Sequence, residues 1–153
     1  MSEKCYISDE KSRIALSIRT QSAVQNLGAV IGPTFGKIAG YLSELGISLT
    51  GDPFIGHFNT DMENLDLEIG ILLEEKVPDK GDVKMSEIPA GKYAVTIHRG
   101  SYNELQNANM MLNKWIEDNN YVSTNIGFEF YLNEPGTVPE EELETKIIVL
   151  LKV

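Results

Sequence analysis

The hydrophobic and polar positions along the chain mark short apolar runs on either side of two longer helical stretches. Residues 14–19 and 93–98 are runs of β type, each followed by a loop. The loops lead into stretches with helical spacing, over about 33–45 and about 102–118. On the first, Phe35, Ile38, Ala39 and Leu42 form an apolar stripe, with Tyr41 on its flank. On the second, Leu105, Asn109, Leu112 and Ile116 form the stripe with Ala108 beside them, and Trp115 and Met111 lie to one flank. Pro33 suits a first-turn position. Ser101 with Glu104 three residues on has the spacing of a capping box. Gly46 and Asn120 tolerate the left-handed conformation that ends helices. Further runs at 54–58 and 128–132, then 67–73 and 147–151, complete the pattern; the last two are rich enough in Ile, Leu and Val for buried strands.

Each half of the chain therefore reads β-α-β-β. At a constant offset Ile38 meets Leu112, Tyr41 meets Trp115, Leu42 meets Ile116, Phe54 meets Phe128, and His57 meets Tyr131. The expected fold is α+β, built from duplicated β-α-β-β repeats with pseudo-twofold symmetry. Its antiparallel sheet carries the helices on one face and leaves a central ligand groove. We expect one domain over residues 1–153, with repeat 1 over about 13–75 and repeat 2 over about 88–153.

The chain has 153 residues, and 13 Lys and Arg against 23 Asp and Glu give a formal net charge of -10. So acidic a protein repels phosphate backbones, so no nucleic-acid partner is expected. The single Cys5 excludes an internal disulfide and fits a reducing compartment. No signal-like segment and no apolar run of about 20 residues is present, so the expectation is a cytoplasmic protein with no membrane partner. The sequence shows no metal-ligand spacing, phosphate-binding glycine loop or nucleophile elbow. No metal or cofactor is expected, and the protein is expected to be a monomer or weak dimer.

The chemistry concentrates on residues 128–132. Alternation by two sends Phe128, Phe130 and Leu132 to one side, expected to be the helix side, and Glu129 and Tyr131 to the other. A carboxylate between two phenylalanines in mid-strand is partly desolvated if its side faces a cleft. It can then bind a cation, accept a hydrogen bond or act as a general base; otherwise it is an ordinary solvated acid. Its counterpart in the first half is Ile55, so paired-carboxylate chemistry is not supported. Trp115 and Tyr41, at matched flank positions, form either an aromatic wall for a flat ligand or part of the core between repeats. His57, matched to Tyr131, can line the same cleft, while His98 is read as a local hydrogen-bonding residue. The candidate catalytic residues are Glu129 and Tyr131. The candidate ligand-binding residues are Trp115, Tyr41, His57, Ile55, Met111 and Tyr93.

Several stretches carry a family resemblance: Pro89-Ala90-Gly91-Lys92-Tyr93-Ala94-Val95, His98-Arg99-Gly100-Ser101-Tyr102, Phe128-Glu129-Phe130-Tyr131-Leu132-Asn133 and Pro139-Glu140-Glu141-Glu142-Leu143. Gly51-Asp52-Pro53-Phe54 and Leu67-Glu68-Ile69-Gly70 add to it in the first half. In their order and spacing the chain resembles the GyrI-like small-molecule-binding family, also known as the AraC-type effector-binding domain. It departs from the family pattern at Leu72 and Ser101, where proline is common. The resemblance implies a groove for lipophilic, aromatic or cationic drug-like molecules, lined by aromatics and a buried strand glutamate, here Glu129. Many members carry a helix-turn-helix domain. About a dozen residues precede the first repeat here, so a stand-alone member is expected. Some stand-alone members hydrolyse cyclopropane-bearing DNA alkylators. Carried over, Glu129 would orient or deprotonate the water, and Trp115 and Tyr131 would stack on or hydrogen-bond the ligand. The alternatives are a non-catalytic drug-sequestering protein and a gyrase-inhibitor type of interaction module with DNA gyrase as partner. The haem-binding SOUL family shares the architecture, but no motif surrounds the only imidazoles, His57 and His98.

Overall fold

The apolar runs form strands and the helical stretches form helices in the computed structural model, whose described residues are 4–48, 51–133 and 136–152. The elements are β1 (Cys5–Glu10), β2 (Arg13–Ser22), α1 (Leu27–Glu44), β3 (Pro53–His57), β4 (Leu65–Leu72), β5 (Lys84–Ile88), β6 (Gly91–Arg99), α2 (Leu105–Asp118), β7 (Ser123–Tyr131) and β8 (Glu144–Leu151). The fold is α+β, all pairings between named strands are antiparallel, and a helix packs against each half of the strands.

The chain divides into two units. The first is Ser12–Pro89; the second joins the segment ending at Lys11 to the stretch from Ala90 onward. In the first unit the strands run β5-β2-β4-β3, and in the second β1-β6-β8-β7. The two orders match, as a duplicated fold requires. The sequence reading assigned no strand to β1 or β5. Each lies next in the chain to one repeat's first strand and pairs with the other's: β1 precedes β2 but pairs β6, and β5 precedes β6 but pairs β2. Both are short and mixed in polarity, so their stability as strands comes from these non-local partners.

In the first unit α1 buries Ile38, Tyr41 and Leu42 and packs on β2 and β4. The register sets Ile18 beside Ile69 and Ile69 beside Ile55, a row of three buried isoleucines. Full burial of such a side chain contributes about 1.5–3 kcal/mol. Phe54 lies against Gly70, where an added Cβ would meet Leu16 O and Ser17 Cβ at 2.8 Å and Phe54 Cε1 at 2.9 Å. Only glycine lets the ring and the neighbouring strand approach this closely.

α1 begins at Leu27, not at Pro33, which lies inside the helix. Proline cannot donate to the carbonyl one turn back, which costs an interior helical hydrogen bond. Leu27, Val30 and Ile31, all half-buried, nevertheless extend the stripe of Phe35 and the buried Ile38, and packing carries the helix across the proline. The helix ends at Glu44, with Gly46 at φ 69° as expected of a stop.

In the second unit Ala108, Leu112 and Ile116 of α2 pack with Ala94, Ile147, Val149 and Leu151 of the sheet. Asn120 ends the helix at φ 64°. At its start Ser101 Oγ accepts the Asn103 N–H at 3.1 Å and sets a single 3-10 turn, Tyr102–Glu104. The Glu104 carboxylate takes Asn107 Nδ2 at 2.6 Å.

Candidate functional site

Strands β6, β8 and β7 lie side by side in the second unit, and their register fixes two adjacent rows of side chains. Thr96 stands opposite Ile147, which stands opposite Glu129. Two residues along, His98 stands opposite Thr145, which stands opposite Tyr131. Residues two apart in a strand share a face, so all six lie on the face of Ile147. That is the face α2 covers. Directly opposed side chains in such pairs have Cβ atoms about 4.5–5.5 Å apart, so each row is a line of touching neighbours.

The sequence reading sent Glu129 and Tyr131 away from the helix; the register corrects this and puts them on its side. Phe128 and Phe130 take the other face, with Tyr93, Val95 and Ile148. The reason is that this face is buried as well: Tyr93 and Val95 are 0% exposed and Phe128 is 1% exposed. Apolar character marks the helix side only when the opposite side is wet, as in many antiparallel sheets. Here both sides are dry, and the phenylalanines carry no such information.

The two rows are polar and buried. Glu129 is 8% exposed, His98 5%, and Thr96 and Thr145 0%. Thr96 Oγ1 donates to Lys4 O at 2.8 Å. His98 Nε2 lies 2.9 Å from Ser101 O; a carbonyl can only accept, so this nitrogen carries the hydrogen. The bond ties the end of β6 to the turn that opens α2. Thr145 Oγ1 is buried and has no hydrogen-bond partner among the described residues.

Tyr131 is half-buried, and its ring meets that of Tyr102 edge-on, 5.5 Å between centroids at 65°. Burial pushes its phenol well above the ordinary value of 10.0, and the Glu129 carboxylate and Tyr102 push it further. Burial also raises Tyr102. Tyr131 therefore stays protonated and is a hydrogen-bond donor across the physiological range. The rows thus offer a buried carboxylate, a phenol donor and a hydroxyl, beside two aromatic rings.

The other candidates lie elsewhere. Trp115 stacks on Tyr121 at 6.3 Å and 17° and packs, half-buried, against the core between α2 and the sheet, in its last core turn. About 15 Å of helix separates it from Leu105, next to the Tyr102 turn. Met111 is one turn before it, also half-buried. Tyr93 occupies the face opposite Glu129, and burial followed by the Glu10 carboxylate raises its phenol to about 12. In the first unit Tyr41 is buried, donates its hydroxyl to Pro78 O at 2.5 Å, and has Lys80 Nζ 5.5 Å from its ring centre. Ile55 is buried beside Ile69, and His57 is half-buried at the end of β3, opposite Leu67.

Two residues beside Glu129, Thr145 and Tyr102, escaped the sequence reading as site residues, and so did a second buried strand acid outside the site, Glu68. Glu68 sits between Leu67 and Ile69 in mid-strand, the same signal that drew attention to Glu129. Its carboxylate accepts from Ser17 Oγ at 2.7 Å and from Ser86 Oγ. The clue to Thr145 is weaker, a polar position in step with the apolar Ile147, Val149 and Leu151 of β8.

Among the described residues, no cluster of three or more His, Cys, Asp or Glu could hold a metal ion, and no helix is long and apolar enough to cross a membrane. The model of the GyrI-like small molecule binding domain family matches residues 4–152. A search of curated proteins found no match. Among solved structures, the chain is similar to the C-terminal domain of EcmrR, at 24% identity and TM-score 0.84 over 99% of each chain. Against EcmrR bound to DNA it aligns at 23% identity and TM-score 0.83 over 98% of its own length, and so spans 57% of that chain. It is also similar to a hydrolase from Listeria innocua, at 13% identity and TM-score 0.68 over 97% of this chain and 92% of that one. A third likeness is to SAV2435 bound to tetraphenylphosphonium, at 14% identity and TM-score 0.64 over 99% of this chain and 94% of that one.

Proposed function

The chain belongs to the GyrI-like small molecule binding domain family, and from that premise we propose that it binds lipophilic, aromatic or cationic organic molecules at the α2 face of β7 and β8. Glu129 is the anchor. The carrying observation is the burial of this carboxylate beside the protonated phenol of Tyr131 and the ring of Tyr102. A buried acid and an organic cation offset part of each other's desolvation. Aromatic faces add cation–π attraction of about 0.5–2 kcal/mol. The tetraphenylphosphonium bound to SAV2435, a protein of similar fold, is a ligand of this class.

The test is equilibrium titration with tetraphenylphosphonium. Glu129→Gln keeps the shape and removes the charge. The expected loss is about 1–3 kcal/mol of binding, the usual worth of a charged buried contact, or about 5–150-fold in affinity. Equal affinity in the folded variant would remove Glu129 from the site.

A second reading, hydrolysis, is favoured by one pairing. Glu129 and Tyr131 stand two residues apart on one face, an acceptor and a donor of protons. With a ligand that carries a strained cyclopropane conjugated to an electron acceptor, Glu129 takes a proton from water. The water oxygen bonds to a ring carbon, a ring C–C bond breaks, and its electron pair passes to the acceptor. Tyr131 protonates that acceptor and regains a proton from Glu129. The product is the ligand plus one water. The Listeria innocua hydrolase, similar in fold, lends this reading its reaction class. Mass spectrometry of a cyclopropane-bearing DNA alkylator incubated with the protein decides it. A hydrated product from wild type and none from Glu129→Gln supports hydrolysis; an unchanged alkylator that nevertheless binds leaves a sequestering protein.

A further inference from the structure

We infer that Thr145 is a specificity-determining residue of the Glu129 site, selecting organic cations that carry a hydrogen-bonding N–H or O–H group over cations that carry none. The inference rests on the proposed cation site and adds to it the ligand's second feature.

Three observations carry it. Thr145 Oγ1 is fully buried with no hydrogen-bond partner among the described residues, a costly state for a hydroxyl. It stands directly between His98 and Tyr131, one step along the strand pair from Glu129, on the same face. The matched position in the first unit is Leu67, which is also fully buried. The fold therefore accepts an aliphatic side chain at this place, and packing alone does not call for the hydroxyl. Thr96, the other fully buried threonine on this face, has its partner in Lys4 O. The Thr145 hydroxyl keeps both its acceptor and its donor capacity for a ligand.

A site built to bond a polar group discriminates strongly against a ligand that lacks it, because the buried partner is then left unmatched. A cation such as tetraphenylphosphonium has no hydrogen-bonding atom. Ethidium, an aromatic cation with two amino groups, has N–H donors that Thr145 Oγ1 can accept.

The experiment measures both cations by equilibrium titration against four proteins: wild type, Thr145→Val, Thr145→Ser and Glu129→Gln, with thermal melting of each. The expected result is at least tenfold weaker ethidium binding in Thr145→Val, with tetraphenylphosphonium changed less than twofold. Thr145→Ser keeps ethidium affinity near wild type. Thr145→Val melts at a higher temperature than wild type without ligand, because an unmatched hydroxyl has been removed. Thr145→Ala reads the same contrast between probes should valine disturb the fold. Equal loss of both cations, no loss of either, or no ethidium binding by wild type overturns the role of Thr145. If Glu129→Gln also leaves both probes bound as in wild type, the cation site itself is wrong. If Glu129→Gln weakens both while Thr145→Val is not selective, only the inference about Thr145 falls.

Discussion

The same two rows of side chains occur in both units, and three of their positions are apolar in the first unit and polar in the second. In the first unit they read Ile18–Ile69–Ile55 and Thr20–Leu67–His57. In the second they read Thr96–Ile147–Glu129 and His98–Thr145–Tyr131. Strand order and pairing are alike, so the fold does not demand the polar version. A row of isoleucines gives stability at no electrostatic cost, whereas a buried hydroxyl left without a hydrogen-bond partner costs about 1–3 kcal/mol. Polar residues in a buried row where the sibling repeat is apolar are what the proposed binding site requires.

A second contrast separates kinds of buried acid. Glu68 also lies in mid-strand and is 5% exposed, but Ser17 and Ser86 donate to its carboxylate. It is a satisfied structural group. Glu129 stands beside the Tyr131 phenol, whose proton its charge helps to hold, and one step along the strand pair from the Thr145 hydroxyl.

The largest expected effect breaks the symmetry of the units with alkali. Tyr93 has its folded-state value raised from 10.0 to about 12, so the native state favours the neutral phenol. That stability is fully present below pH about 10 and is lost as the pH rises from 10 to 12. It amounts to about 3 kcal/mol, because each pH unit between the unfolded and folded values is worth about 1.36 kcal/mol. Tyr131 titrates in the same direction. Denaturant melts should show stability falling across this window, and Tyr93→Phe should flatten the dependence. Stability that stays level from pH 10 to pH 12 would contradict it.

A smaller effect separates the acids. Glu68→Gln should lower stability by about 1–2 kcal/mol, because a charged acceptor of two hydroxyl donors becomes a neutral one. Its affinity for tetraphenylphosphonium should stay within twofold of wild type. Denaturant melts and titrations of this variant beside Glu129→Gln check the pair, and loss of ligand binding in Glu68→Gln would erase the distinction.

The smallest effect lies at the surface of the first unit. Arg19 grips Asp66 with two hydrogen bonds, of 2.6 and 2.8 Å, which hold the carboxyl below its usual range. A lowered value supplies stability above the unfolded value near 4 and loses it as the pH falls through the folded one. The pair is largely exposed, so Asp66→Asn should cost under about 1 kcal/mol in the same melts.

Much of the fold was legible because the paired strands and both helices are written as apolar runs with the right period. Gly46 and Asn120 stop the helices where their backbone freedom suggested. What was not legible depends on distant parts of the chain. β1 and β5 are too polar to be recognised alone and exist through strands of the other repeat. The start of α1 was hidden behind Pro33, since a proline reads as a boundary unless packing overrides it. For the site, Glu129 stood out as an acid between phenylalanines. Its side of the sheet did not, because both faces are buried. Thr145 could not be singled out, because an unmatched hydroxyl is a property of neighbours in space. Trp115 and Tyr41 share a position in the repeat, but a stacking partner, Tyr121, and a carbonyl, Pro78 O, engage them locally.

The most direct test of the central claim is a nuclear magnetic resonance titration of the wild-type protein with tetraphenylphosphonium, following backbone and side-chain resonances residue by residue. A cation seated on the α2 face of β7 and β8 should move Tyr102, Glu129, Tyr131, Thr145 and His98 most, while Ser17, Glu68 and Ser86 stay still. Changes centred on Ser17, Glu68 and Ser86 or on Trp115 and Tyr121, or no changes at all, would contradict it.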